Sequence, residues 1–238
     1  MAAVKPYTAD GSKREQVERM FDAISPKYDF LNRLFSMGTD QGWRRKVMRL
    51  VAQEPVARLL DVATGTADLA LLAAKQVEHV TGADISEGML AHGREKVKKA
   101  GLEQRIELVR GDAADLPFAE NTFDAITVAF GVRNFEDLSG GVRGMFRVLK
   151  PGGRLFVLEF SQPHGLVRPI YRFYFHRVMP FIGRMISKDS AAYSYLPASV
   201  DAFPEGTAFE AILRECGGRE VRSERLTGGI ATLYIARK

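Results

Sequence analysis

Leu60-Asp61-Val62-Ala63-Thr64-Gly65-Thr66-Ala67-Asp68 is an apolar run that stops at a glycine turn and passes at once into Leu69-Ala70-Leu71-Leu72, a helix-forming stretch. A strand that gives way to a helix so abruptly opens a β-α-β unit, and the downstream sequence repeats the rhythm. Candidate strands occupy 58–62, 78–84, 105–110, 123–130, 154–160, 219–226 and 229–236, with helices at 67–76, 86–100 and 138–149. Only Thr227-Gly228-Gly229 joins the last two strands. That is too short for a parallel crossover, so they pair antiparallel. The predicted fold is α/β, a seven-stranded, mostly parallel sheet with an antiparallel C-terminal edge hairpin. Upstream, Phe21, Ile24, Tyr28, Leu31 and Phe35 recur at spacings of three and four, which predicts a helical extension over 1–55.

In an open α/β sheet, ligands bind beyond the carboxyl ends of the strands. Gly65 and Thr66 sit in the first such turn, where a glycine lets backbone approach a ligand and the helix start offers free N–H groups to an anion. The second strand ends in Gly82-Ala83-Asp84, placed for a carboxylate to accept ribose hydroxyls; Ser86 can cap the following helix and so frees Asp84. The third ends in Gly111-Asp112-Ala113, where Asp112 can receive an adenine amino group and the Ala113 N–H can meet a ring nitrogen. Singly, Asp84 reads also as a helix cap and Asp112 more readily as a turn residue. Jointly, Asp61, Asp84 and Asp112 at three successive strand ends favour an adenosine ligand.

The 238 residues suffice for one well-filled domain. Thirty-four Lys and Arg against 29 Asp and Glu give a formal charge of +5, which favours anionic surfaces without naming one. Cys216 is the single cysteine and suits a reducing compartment. Met1 to Arg19 lacks the apolar stretch of a secretory signal and no run is long enough to span a bilayer, so the expected location is cytoplasmic, with any membrane contact peripheral. The four histidines show no metal-ligand spacing, and no metal is expected.

Several stretches carry a family resemblance. LLDVATGTADLA, TGADIS, VRGDAADLPF, FDAITVAF and RVLKPGGRLFVLEF resemble the class I methyltransferases, whose Rossmann-like sheet binds S-adenosyl-L-methionine. Tyr28-Asp29-Phe30-Leu31-Asn32, running on to Ser36 and Trp43, and the segment from Arg147 to Ser161 are similar to two signatures of the ubiquinone/menaquinone biosynthesis C-methyltransferases. The resemblance extends from about Tyr7 to Lys238. It departs at Leu31, where methionine is usual, at Phe35, where an aliphatic is usual, and at Asp40, where histidine is frequent; Asp40 is therefore given no catalytic role. Thr64 and Ala67 replace common glycines and Ala129 a serine that touches the cofactor. Alanine at 67 resembles the menaquinone branch.

The resemblance implies S-adenosyl-L-methionine-dependent C-methylation of a demethylated prenyl quinol, 2-demethylmenaquinol before its ubiquinone counterpart. Asp61, Gly65, Thr66, Asp84, Asp112, Ala113, Ala129 and Tyr28 are expected at the cofactor; Tyr28 and Phe130 either lean on the sulfonium through their ring faces or belong to the core. Aromatic carbon is a poor nucleophile until an adjacent hydroxyl ionises, so a quinol fits and the electrophilic quinone does not. Arg133 is expected to stabilise the phenolate and Asn134 to orient the hydroxyl or a water; the plainer alternative pairs Arg133 with Glu136 or Asp137.

One domain, 1–238, is expected, with a substrate-side helical insertion over 162–203. Within it Tyr171, Tyr174, Phe175, Val178, Phe181, Ile182 and Met185 share a helical face ringed by arginines, and Pro180 kinks or restarts the helix. Such a stripe is either core or a seat for an isoprenoid tail on anionic lipid. Assembly as a homodimer stays open. A nucleic-acid methyltransferase lacks support because the Asn/Asp-Pro-Pro-aromatic tetrapeptide and any RNA-binding module are missing; a nicotinamide oxidoreductase lacks G-x-G-x-x-G. A non-catalytic binding subunit fits poorly with a filled active-site segment.

Overall fold

β1 (Arg58–Val62) lies in the middle of a sheet whose strands run β3-β2-β1-β4-β5-β7-β6. The others are β2 (His79–Asp84), β3 (Ile106–Arg110), β4 (Phe123–Ala129), β5 (Leu149–Phe160), β6 (Arg219–Leu226) and β7 (Ala231–Arg237). The computed structural model describes residues 4–7, 11–36, 38–163, 167–178 and 190–238. β1 to β5 pair in parallel, and β7 inserts antiparallel between β5 and β6. Strand order reverses between β1 and β4, which opens a crevice above their carboxyl ends.

Because successive strand residues face opposite ways, the apolar runs feed two cores. Leu59, Ala125, Phe156 and Leu158 pack under α3 (Thr39–Val51), α4 (Asp68–Ala73) and α5 (Glu87–Lys99). Leu60, Ile126, Leu155 and Val157 pack under α6 (Leu138–Val148) and α9 (Thr207–Glu215). The edge strand β6 is mostly exposed and reads Arg-Glu-Val-Arg-Ser-Glu-Arg-Leu, charges that discourage edge pairing with another chain.

The N-terminal extension forms α1 (Lys13–Ile24) and α2 (Tyr28–Ser36) before α3. α1 starts with a capping box: Ser12 accepts from the Glu15 N–H at 3.1 Å, and Glu15 accepts from the Ser12 N–H at 2.9 Å. After β5, α7 (Val167–Phe173) runs into a π turn at Tyr174–Val178, and α8 spans Ser190–Ala202. Phe181, Ile182, Met185 and the Pro180 kink lie outside the described residues. β5 begins five residues before the predicted 154, and α9, whose C-cap is Cys216, makes the crossover to β6.

Candidate active site

The crevice above β1 and β4 holds two cavities that share a wall. The first, about 70 Å³, is lined by Tyr28, Gly65, Asp84, Asp112, Ala113 and Ala129 among others. The second, about 210 Å³, lies beneath α1, α2, α7 and α8 and is mostly aromatic. Phe21, Tyr28, Phe130 and Asn134 belong to both.

Backbone strain marks this rim. Ala63, Ala67 and Phe130 hold positive φ of 52°, 66° and 62°, and Gly65 sits at 57°. Non-glycine residues reach this region only where the surroundings enforce it. At Phe130 it turns the ring into the wall between the cavities, where it stacks on Phe160 with centroids 4.4 Å apart.

Asp84 is 8% exposed; its Oδ2 accepts from the Gly65 N–H at 2.8 Å and its Oδ1 from the Ser86 N–H at 2.9 Å. Ser86 caps α5 by accepting from the Met89 N–H, so Asp84 keeps lone pairs for the first cavity. Burial pushes its carboxyl up to about 6. Asp112 accepts from the Ala114 N–H at 2.9 Å and stands 3.1 Å from Arg14 Nε.

Two predicted cofactor residues sit elsewhere. Asp61 does not line the first cavity: it is 2% exposed, its carboxylate oxygens accept from the Thr64 and Thr127 hydroxyls, each at 2.7 Å, and desolvation raises it to about 6. It supports the turn from beneath. Thr66 is also off the wall, its hydroxyl donating to Asp29 at 2.5 Å. Asp29 takes Lys96 as well, and this tie anchors the start of α2 beside Tyr28.

Arg133 and Asn134 both line the second cavity. The partner of Arg133 is neither Glu136 nor Asp137 but Glu159 near the end of β5, with Nη1 and Oε1 2.8 Å apart. Glu159 is fully buried, accepts from the Phe160 N–H, and has its carboxyl pushed up by desolvation against the pull of Arg133. The arginine is thus half of a neutral buried pair and not a free cation. Lys13 of α1 donates to the Arg133 and Phe135 carbonyls at 2.9 and 2.8 Å and fixes this loop; burial, then Arg133, lowers it to about 8.

Sequence reasoning also missed Asp40, Arg44, Tyr171 and Tyr195 as polar groups of one cavity. Among the described residues, the buried side-chain polar atoms without a hydrogen-bond partner are Arg44 Nε, Arg133 Nε, Asn134 Oδ1, Tyr171 Oη and Tyr195 Oη. All five residues line the second cavity. Such an orphan costs about 1–3 kcal/mol, so their convergence describes a chamber built for an oxygen-bearing guest in an aromatic sleeve. The signal for Glu159 was present as a lone carboxylate in the apolar run Leu155–Phe160.

Comparison with known proteins matches residues 9–238 to the ubiE/COQ5 methyltransferase family. A demethylmenaquinone methyltransferase of Bacteroides fragilis is 49% identical over 238 residues, 99% of this chain and 97% of its own. A ubiquinone/menaquinone biosynthesis C-methyltransferase of Geotalea daltonii is 46% identical over 230 residues, 95% of this chain and 97% of its own. A SAM-dependent methyltransferase structure from Thermotoga maritima superposes with a TM-score of 0.68 at 16% identity, covering 92% of this chain and 99% of its own, a likeness of fold.

Proposed function

The chain belongs to the ubiE/COQ5 methyltransferase family, and from that premise we propose that it methylates a ring carbon of a demethylated prenyl naphthoquinol, using S-adenosyl-L-methionine, to complete a menaquinol. S-Adenosyl-L-methionine supplies an electrophilic methyl on a sulfonium. The first cavity suits it chemically: Asp84 offers a desolvated carboxylate to ribose hydroxyls, Asp112 and the Ala113 N–H face an adenine edge, and Gly65 and Ala129 leave room for the chain. Tyr28, on the wall common to both cavities, borders the transferring methyl.

The observation that carries the acceptor is the set of orphaned polar atoms in the second cavity. Asn134 Oδ1 wants a donor, which a quinol hydroxyl has and a quinone carbonyl lacks, while Arg133 Nε can donate to the same oxygen. The aromatic lining takes the fused ring, and removal of water there strengthens each polar contact. The benzoquinol of ubiquinone synthesis is the second reading, favoured by the double name of the Geotalea relative. The test is labelled methyl transfer in mild detergent to each demethylated acceptor, reduced and oxidised. Transfer to the reduced naphthoquinone above all supports the reading; transfer to the oxidised form alone, or to neither ring, refutes it.

Peripheral contact with an anionic membrane belongs to the same proposal. Among the described residues the exposed large hydrophobic side chains are Phe30 (60%) and Phe173 (66%), on α2 and α7, which line the acceptor cavity with their other faces. Arg33, Arg168 and Arg177 are exposed on the same segments, a basic rim about an apolar tip. No helix among the described residues is long and apolar enough to cross a membrane.

A further inference from the structure

We infer that Asp40 is the proton acceptor for the ring hydroxyl of the substrate and that Arg44 holds the oxygen left behind; this rests on the methyl-transfer reading above. Asp40 lies in the first turn of α3 and is 5% exposed, yet it lines the acceptor cavity. Its Oδ1 accepts from the Ser36 hydroxyl at 2.7 Å and its Oδ2 stands 3.5 Å from Arg44 Nε. A carboxylate has about four lone-pair positions, so capacity remains for a substrate hydroxyl. Arg44 Nε has no hydrogen-bond partner, and its guanidinium lies 5.4 Å from the Phe130 ring centre. Phe130 forms part of the wall shared with the cofactor cavity, which puts this pair beside the place of transfer.

Elimination points the same way. Among the described residues lining the acceptor cavity, Asp40 is the one carboxylate. Glu159 is off the wall, its Oε1 accepting from Arg133 Nη1 and the Phe160 N–H. The other titratable groups on the wall are Arg44 of the same helix, Tyr28, Arg133, Tyr171, Tyr174 and Tyr195. A guanidinium offers donors and no acceptor, and burial raises all four tyrosine hydroxyls, Tyr195 to about 12, so the tyrosines keep their protons and serve as donors.

The step balances. The acceptor O–H bond breaks and its proton passes to Asp40. The electron pair enters the ring, where the new carbon–carbon bond forms as the methyl–sulfur bond breaks and its pair stays on sulfur. The ring then sheds the hydrogen of the methylated carbon as a proton, and the oxygen regains the proton from Asp40. One proton is released per methyl, and the quinol is restored.

The test compares the wild type with Asp40→Asn and Asp40→His, reading kcat and KM for a reduced short-chain naphthoquinol against pH. Calorimetric affinity for S-adenosylhomocysteine and acceptor quenching of Trp43 are read beside them. Asp40→Asn is expected to lose a factor on the order of 10² in kcat at neutral pH. It should recover about tenfold per pH unit as the phenol approaches its own ionisation near ~10, with both affinities within about threefold of the wild type. Asp40→His, which restores a proton acceptor, should stay within about tenfold of wild-type kcat above its imidazole value of ~6.5. A wild-type pH profile for Asp40→Asn, or equal losses in both variants, overturns the proposal alone. Transfer by the wild type to no quinol overturns it together with the acceptor reading.

Discussion

Arg133 Nη1 lies 2.8 Å from Glu159 Oε1, and the two side chains are 7% and 0% exposed, so the charge of an arginine that lines the second cavity is neutralised by a buried carboxylate off its wall. Removing either partner alone leaves the other charge buried and uncompensated, at a cost of about 3–5 kcal/mol. Arg133→Leu and Glu159→Leu should therefore each lower the unfolding midpoint sharply. The double variant should regain most of that stability while turnover stays down by a factor on the order of 10². Chemical denaturation with kinetics on the same three proteins checks this; full turnover in the stable double variant would remove Arg133 from the reaction.

Asp84 gives cofactor binding a pH dependence of definite sign. Its folded-state carboxyl is raised to about 6 by burial, and ribose hydroxyls donate far more strongly to the ionised form. Binding therefore releases a proton near that value, and affinity for S-adenosylhomocysteine should hold above it and fall about tenfold per pH unit below it. In Asp84→Asn, affinity should be lower by roughly 10–100-fold and flat across this window. Calorimetry in buffers of different ionisation enthalpy counts the proton; uptake instead of release would contradict the assignment. The same raised value means the unliganded chain gains stability from this group as pH falls from above 6 toward the unfolded value, since only the folded form takes up the proton there.

Gly144 of α6 packs against the loop that carries Asp112 and Ala113. A Cβ at this position would stand 2.1 Å from the Ala113 carbonyl oxygen, a backbone atom that can move only with its loop. Gly144→Ala should leave circular dichroism unchanged while weakening S-adenosylhomocysteine at least about tenfold, because Asp112 and Ala113 shift together. Unaltered affinity would place this loop outside the cofactor site.

Much of this was legible in the chain. The strand-turn-helix from Leu60 to Leu72, the acids closing β2 and β3, and the antiparallel hairpin at the C-terminus follow from local patterns of apolarity and glycine. Asp61 did not, because an acid at a strand end reads alike whether it faces a ligand or lies under the turn. The Thr127 hydroxyl, 66 residues away, holds it under the turn. Asp40 was set aside as a lost imidazole, whereas its role depends on which helix face meets a cavity roofed by distant segments. The helix at Thr207–Glu215 carries Phe209, Ile212 and Leu213 at spacings of three and one, but Gly206 at its start offers no side-chain cap, so its beginning is not marked locally.

The exposed aromatic tips separate membrane delivery from chemistry. Phe30→Ser with Phe173→Ser should cut binding to anionic vesicles by roughly tenfold or more and leave kcat for a short-chain, detergent-free acceptor within about twofold. Wild-type binding should weaken as salt is raised. Vesicle binding indifferent to both changes would refute the docking face.

The claim on which the rest depends is that donor and acceptor occupy adjoining chambers at one time. Trp43 is the single tryptophan and lines the acceptor chamber, so its fluorescence reports occupancy there directly. Titration with a reduced naphthoquinol, with and without saturating S-adenosylhomocysteine, should give saturable quenching in both series, with acceptor affinity equal or tighter when the first chamber is filled. Displacement of one ligand by the other, or no saturable quenching at all, would contradict the two-chamber account.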